Sequence, residues 1–399
     1  MKEILKWLNP NIRMKRWLLV IFIGAIMFGF AISNLIIYSE ISIGALLVTG
    51  LLFVFGGTLI LLSYMLAQTK LLQLITGINV MNESDSEEIQ KMFRDKNIYE
   101  ENPKITIIGS GIQINNIIQS VKKYSNNIDV ILPFYEMDIK NAIINLSTQK
   151  DLMEGLFEDN YMFSQIEKFK KTYGDYEKGL NALCSVFSMN GNVIPLTFDD
   201  IDYSVTLSDG VTVNSNDDFT KINQERGTTI ENITILNTPK LTKTAATSIK
   251  TSDIIIFAPC RLYSELLPML LVDNLYEKIK KSKAKKVYLN SIMTIPGETT
   301  FYDLYDHIDS IRKITGIDFI DYAIVDKGNV EFKKMAKELS HNSSEPVKYD
   351  KNKFDKEDKI KVIKKYLAVI ENDNIVYDIK KTSNLIADIL VDNEIKEGK

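Results

Sequence analysis

Three short stretches of the chain combine residue types that can hold charged or polar groups. The first is Gly109-Ser110-Gly111, which follows the apolar run Ile105-Thr-Ile-Ile108 and precedes a segment with helical spacing. A strand, a glycine turn and a helix start together make an anion site, because unpaired amide N–H groups and the helix dipole point at whatever binds there. A dinucleotide fingerprint would need glycine at 114, where Ile114 stands, so a plain β-α turn is the competing reading. The second stretch is Asp253-Ile-Ile-Ile-Phe-Ala-Pro259, a buried strand broken by proline and followed by Cys260 and Arg261. Arg261 can take a phosphate bidentately or simply be solvated, and Cys260 has no adjacent base and reads as inert. The third is Met293-Thr-Ile-Pro-Gly-Glu-Thr299, with Asp306 and His307 beyond it. Glu298 is either a binding carboxylate or a cap for a helix starting near Tyr302. Successive helix positions do not face each other, so Asp306 and His307 form no obvious dyad.

These stretches need elements to hold them. Ile112 to Tyr124 carries apolar residues at 114, 117, 118 and 121, a helical spacing, and Ile128 to Leu132 reads as the next strand. A helix is expected from Tyr263 to Lys281, and Lys286 to Asn290 is a strand feeding the third stretch. In an open α/β sheet such strand ends line the ligand crevice. Val193 to Thr197, Tyr203 to Leu207 and Ile233 to Leu236 read as short strands, with Ser208-Asp-Gly210 as a hairpin turn. After His307 come a helix to Thr315, a strand from Phe319 to Val325, lysine-rich text from Glu331 to Lys365, a short strand at Val376 and a helix from Ser383 to Val391.

The chain has 399 residues, a formal net charge of -4, two cysteines (Cys184 and Cys260) and two histidines (His307 and His341). That balance supplies no basic field for nucleic acid, no disulfide framework and no His-rich metal centre. Trp17 to Tyr38 holds no charged side chain, and about 22 residues at ~1.5 Å each reach across a hydrocarbon core. A second uncharged run extends from Ile41 to Gln68. Lys2, Lys6, Arg13, Lys15 and Arg16 precede the first run, Lys70 follows the second, and Ser39 and Glu40 lie between. The positive-inside rule then places both ends in the cytoplasm and the turn outside. Gly24, Ala25 and Gly29, with Gly44, Gly50, Gly56 and Gly57, would let the two helices approach closely.

The run from Asp253 to His307 resembles the second half of the YvcK/CofD family, gluconeogenesis-factor-like proteins and phospholactate transferases. Pro259, Leu262, Tyr263, Met293, Thr294, Pro296, Gly297, Glu298, Thr299, Tyr302, Asp306 and His307 fit its text. The opening of the soluble part is similar to the family's I-G-G-G-T-G-L turn and helix. Gly109, Gly111, Lys122, Lys123, Tyr124, Asn127 and Ile128 match, whereas Ser110, Ile112 and Gln113 depart from it. After the second strand the family has an acidic, glycine-rich loop implied to serve nucleotide or metal binding; here Leu132-Pro-Phe-Tyr-Glu136 stands instead. Asp138 retains part of the family's G-D-I-R-N helix start, and Asn181 is the survivor of its G-H-S-x-G-N segment. Cys260 and Arg261 replace a glycine and a serine.

The resemblance implies an α/β, Rossmann-like, mostly parallel sheet with helices on both faces, and the two uncharged runs put a transmembrane helical hairpin before it. The expected organisation is an anchor at 1–68 with spans at about 17–38 and 41–67, a linker at 69–103 and a cytoplasmic domain at 104–399. The loop at 133–135 lacks the carboxylates and glycines that hold cations beside phosphates. The first reading is therefore a non-catalytic, membrane-anchored regulatory protein that binds a nucleotide sugar and is linked to carbon metabolism and cell-envelope or cell-shape control. Its expected binding residues are Gly109, Ser110, Gly111, Asp138, Asn181, Pro259, Arg261, Thr294, Gly297, Glu298 and Asp306, with no catalytic residue, metal or cofactor. The second reading is a transferase of a phosphoryl-linked group using Asp138, Asn181, Glu298 and Asp306. The third is a scaffold that only docks partners. Expected partners are the membrane, a nucleotide-sugar ligand, cell-envelope or metabolic proteins and a second copy of the chain, but no nucleic acid.

Overall fold

The computed structural model describes residues 14–37, 43–76, 83–148, 174–186, 189–215, 217–328, 344–354, 359–371 and 374–391, with isolated positions between 164 and 172. His341, the basic residues Lys2, Lys6 and Arg13, the Ser39-Glu40 turn and residues 331–343 and 355–358 of the lysine-rich text lie outside the described residues. The chain divides into two compact units, Met1–Phe93 and Arg94–Lys399.

In the first unit, α1 (Met14–Ile37) and α2 (Ile43–Thr76) pack as an antiparallel pair. A Cβ built on Gly24 would lie 3.0 Å from the Gly56 carbonyl, and one on Gly56 would lie 3.0 Å from the Gly24 carbonyl. Hydrogen at these two positions is what permits the approach. Gly29 and Gly50 meet nothing within 4 Å and take no part in the contact. Phe28 and Phe53 stack beside it, ring centroids 4.2 Å apart. Among the described residues, Val48–Met65 is long and apolar enough to cross a membrane, and Val20–Asn34 is a shorter apolar stretch.

Within the expected linker, Glu83–Glu101 form the helix α3. From there the order is β1 (Ile105–Ile108), α4 (Gln113–Val121), β2 (Ile128–Leu132), α5 (Glu136–Leu146), α6 (Tyr176–Val186), β3 (Gly191–Pro195), β4 (Tyr203–Leu207), β5 (Thr212–Asn214), α7 (Phe219–Arg226), β6 (Ile230–Ile235), α8 (Lys243–Thr251) and β7 (Ile254–Phe257). A π-helical turn (Leu262–Leu266), α9 (Leu267–Leu271), α10 (Leu275–Lys281), β8 (Lys285–Leu289), α11 (Leu304–Thr315), β9 (Tyr322–Asp326), β10 (Lys361–Lys365), β11 (Ala368–Glu371), β12 (Asn374–Tyr377) and α12 (Ile379–Leu390) complete it.

Seven strands form one sheet in the order β10-β9-β8-β7-β1-β2-β3, and every pair in it is parallel. Alternation along the strands explains the layers: Ile105 and Ile107 face α4, α5 and α12, whereas Ile108 faces the side covered by α8 to α11. Both faces are buried, as the near-continuous apolar runs require. The fold is thus the expected α/β, Rossmann-like one. The region between 193 and 236 divides, however. Only β3 joins the main sheet, while β4, β5 and β6 form a separate antiparallel sheet.

The helix expected from Tyr263 to Lys281 is interrupted. Asp273 and Asn274 adopt φ of +45° and +50°, which stops α9 and starts α10 on a new axis. The cap on α11 also differs from expectation. Asp303 accepts the Asp306 amide and Asp306 accepts the Asp303 amide, a reciprocal capping box that leaves Glu298 no capping role.

Candidate functional site

The strand order runs from β1 through β2 to β3 in one direction and from β7 through β8 and β9 to β10 in the other. Connections therefore diverge between β1 and β7, and a crevice opens beyond their carboxyl ends. A cavity of about 490 Å³ lies there, lined by Ser110, Gly111 and Gln113 after β1, Pro259, Cys260 and Arg261 after β7, and Ser291 to Pro296 after β8. Glu265, Ser344 and Ile375 close its sides. Gly109 sits under it for a steric reason: a Cβ there would come within 2.9 Å of Ala258 Cβ on the neighbouring strand end.

The glycine turn is not an empty anion cradle. The Gly111 amide donates to Asp138 Oδ1 at 3.1 Å, and the Ser110 hydroxyl donates to Asp138 Oδ2 at 3.0 Å. Asp138, buried at the start of α5, places its own carboxylate where a phosphate was expected.

Across the cavity, Arg261 lies between two carboxylates. Its amide donates to Glu265 Oε2 at 2.8 Å, and its Nε is 3.4 Å from Glu298 Oε1. Glu298 is 2% exposed, and neither of its oxygens has a hydrogen-bond partner. Burial raises the Glu298 carboxyl above its ordinary range against the opposing pull of the Ser264 hydroxyl, Arg261 and the nearby amides. Those groups approach closely without reaching hydrogen-bond geometry. Burial likewise raises Glu265. Cys260 is pushed well up, first by burial and then by these two acids, which keeps its thiol protonated and unreactive.

The expected binding residues do not all converge. Ser110, Gly111, Pro259, Arg261 and Thr294 line the cavity, with Gly109, Asp138 and Glu298 just behind. The Thr294 hydroxyl is already used, accepting the Glu345 amide at 2.8 Å. Gly297 is structural: its φ is +76°, and an added Cβ would fall 2.0 Å from the Thr220 carbonyl. Asp306 serves the capping box and an ion pair with Lys353. Asn181 lines a different cavity, with Lys104, Asp129 and Gly191 at the opposite ends of the strands. Asp138, Asn181, Glu298 and Asp306 thus form no single constellation. His307 is buried, its Nδ1 2.8 Å from the Asp303 carbonyl, and is a core residue.

Gln113, Glu265, Ser291 and Ser344 line the cavity without having been singled out for it. Gln113 was visible only as a departure from the family's turn, and Glu265 only as the residue one turn after Arg261. Phe134 does not enter the cavity. It packs edge-on to Tyr176 and Phe198, with ring centroids 5.4 and 5.0 Å away.

Residues 134–368 match the family model described as 2-phospho-L-lactate transferase CofD, and the chain belongs to this YvcK/CofD family. A putative gluconeogenesis factor of Clostridium acetobutylicum is 26% identical over 98% of this chain and 93% of its own length. One from Thermoanaerobacterium thermosulfurigenes is 30% identical over 73% of this chain and 98% of its own. The gluconeogenesis factor of Bacillus subtilis is 25% identical over 72% and 98%. A crystal structure of a UPF0052 family member from Bacillus halodurans superposes with a TM-score of 0.63 at 23% identity, covering 71% of this chain and 99% of that one, a likeness of fold.

Proposed function

We propose that this chain is a membrane-anchored, non-catalytic regulatory protein of the gluconeogenesis-factor kind. Its crevice binds a nucleotide-activated sugar and couples carbon metabolism to cell-envelope or cell-shape control. The observation that carries the reading is the open cavity at the divergence of β1 and β7, flanked at the end of β2 by Pro133, Phe134 and Tyr135. The reading is supported by the aromatic cluster of Phe134, Tyr176 and Phe198 at that strand end, where the resemblance implies an acidic, glycine-rich loop; Asp199, Asp200 and Asp202 line the recess beside it. The transferase alternative loses support because Asn181 and Asp306 lie away from the crevice.

The anchor is the α1–α2 pair, both helices entering the membrane and leaving the N-terminus and the large C-terminal unit in the cytoplasm. Support comes from the apolar length of Val48–Met65, the shorter run Val20–Asn34 and the basic residues outside the two runs. Partners are envelope or metabolic proteins and a second copy of the chain. Calorimetry of the detergent-solubilised full chain with uridine-diphosphate glucose tests the reading. Metal-independent binding without consumption of the donor is expected. Turnover at an enzyme-like rate would establish the transferase instead, and absence of any heat would leave only a scaffold.

A further inference from the structure

Buried oxygens without a hydrogen-bond partner gather around the crevice: Gln113 Oε1, Asn290 Oδ1 and both oxygens of Glu298. The orientation of the two amides is fixed by their nitrogens. Gln113 Nε2 donates to the Ile375 carbonyl at 2.6 Å, and Asn290 Nδ2 donates to the Ser291 carbonyl at 2.9 Å. Each side chain has therefore used donors and kept an acceptor free. Gln113 lines the cavity itself, whereas Asn290, 0% exposed, does not line it. An acceptor with two lone pairs, shielded from water and left unpaired, is costly, and a bound donor removes the cost.

The opposite inventory is poor. Gly111 and Ser110 already give their hydrogens to Asp138, and no lysine lines the cavity among the described residues. Arg261 is the cation present, and its Nε faces Glu298. A diphosphate needs donors and positive charge, and here the unpaired donor of the lining, Arg261 Nε, is held beside the acids Glu265 and Glu298.

Resting on the reading that the crevice binds a ligand, we propose that it grips the ligand by a neutral, donor-bearing moiety. Hydroxyls of a sugar ring or the N–H of a base pair with Gln113 Oε1. The phosphates are held outside this contact. Gln113 is thus a specificity-determining residue.

The test uses the full chain in detergent, titrated with uridine-diphosphate glucose, uridine monophosphate and inorganic pyrophosphate. Pyrophosphate is expected to bind at least about tenfold more weakly than the sugar nucleotide. Gln113→Met should lower affinity for the sugar nucleotide about tenfold, the loss of one good hydrogen bond; it also frees the Ile375 carbonyl, so the melting temperature of each variant is read beside its affinity. Gln113→Glu, which keeps acceptor oxygens, should retain more affinity than Gln113→Met. A loss with uridine monophosphate as well assigns the donors to the nucleoside; a loss confined to the sugar nucleotide assigns them to the hexose. Equal affinity of wild type and Gln113→Met for the sugar nucleotide overturns the inference and leaves the binding function standing. So does pyrophosphate binding as tight as the sugar nucleotide. No binding of any probe to the wild type overturns both.

Discussion

Asp138 and Gly111 are joined by a 3.1 Å hydrogen bond in which the protein's own carboxylate takes the amide of the glycine turn. The Ser110 hydroxyl adds a second bond to the same acid. An internal acid therefore stands in the position that a phosphate would claim, and it braces the turn against α5.

Removing that acid separates bracing from charge. Asp138→Ala leaves the Gly111 amide and the buried Ser110 hydroxyl without this partner and should cost about 1–3 kcal/mol in thermal or denaturant unfolding. Asp138→Asn keeps one acceptor, so the loss should stay below about 1 kcal/mol. Pyrophosphate titrations of Asp138→Asn should show tighter binding than the wild type.

Two glycines of the same turn should respond differently. At Gly109 a methyl group would press on Ala258 at 2.9 Å, and Gly109→Ala should destabilise by about 1–3 kcal/mol by forcing β1 and β7 apart. At Gly111, with φ of +75° and nothing within 4 Å, Gly111→Ala carries only backbone strain of about 1–2 kcal/mol. Melting temperatures of the two variants, with sugar-nucleotide affinity beside them, should show the larger loss of both at Gly109.

Stability should depend on pH through Glu298. Burial raises its folded-state pKa above the ordinary 4.5, so the folded chain holds the proton more tightly than the unfolded chain does. The contribution is fully present below about 4.5 and is lost as pH rises through the raised value. Unfolding free energies measured from pH 4 upward should therefore fall in this window, and Glu298→Gln should flatten that part of the curve. An identical slope in the variant would assign the proton elsewhere, with Glu265 the next group to test.

In the N-terminal unit, Gly56→Leu should break the α1–α2 contact, because its Cβ would already lie 3.0 Å from the Gly24 carbonyl and the Phe28 amide. Gly50→Leu, where the site is open, should leave the pair intact. Cross-linking between cysteines placed at Met27 and Leu59 reports the difference. A reporter fused after Lys399 should be active in the cytoplasm; activity on the outer face would end the proposed topology.

The central strands were legible because Ile105 to Ile108, Ile128 to Leu132 and Ile254 to Phe257 are apolar at positions facing both sides, which only a covered parallel strand satisfies. The helix α4 was readable for the same kind of reason, its buried Ile114, Ile117, Ile118 and Val121 repeating at helical spacing. Pairings across long separations were not readable. Nothing local to Asp138 says that it will reach back to Gly111, and nothing near Asn181 says that α6 delivers it to the far edge of the sheet. The break at Asp273-Asn274 was hidden because both residues are compatible with helix as well as with a left-handed turn.

The position of β1 has a consequence for how the molecule is made. This strand is the first of the sheet to leave the ribosome, yet it ends in the interior of the sheet between β2 and the much later β7. Its helix α4 is clasped by the last segments of the chain: Gln113 and Asn116 donate to the Ile375 and Tyr377 carbonyls, and Ser120 donates to that of Ile379. The nascent polypeptide must therefore keep β1 unpaired on one edge until most of the remaining sequence has emerged, a slow, non-local assembly. Chaperone dependence and sensitivity to C-terminal truncation follow, and a premature stop before α12 should yield an insoluble product.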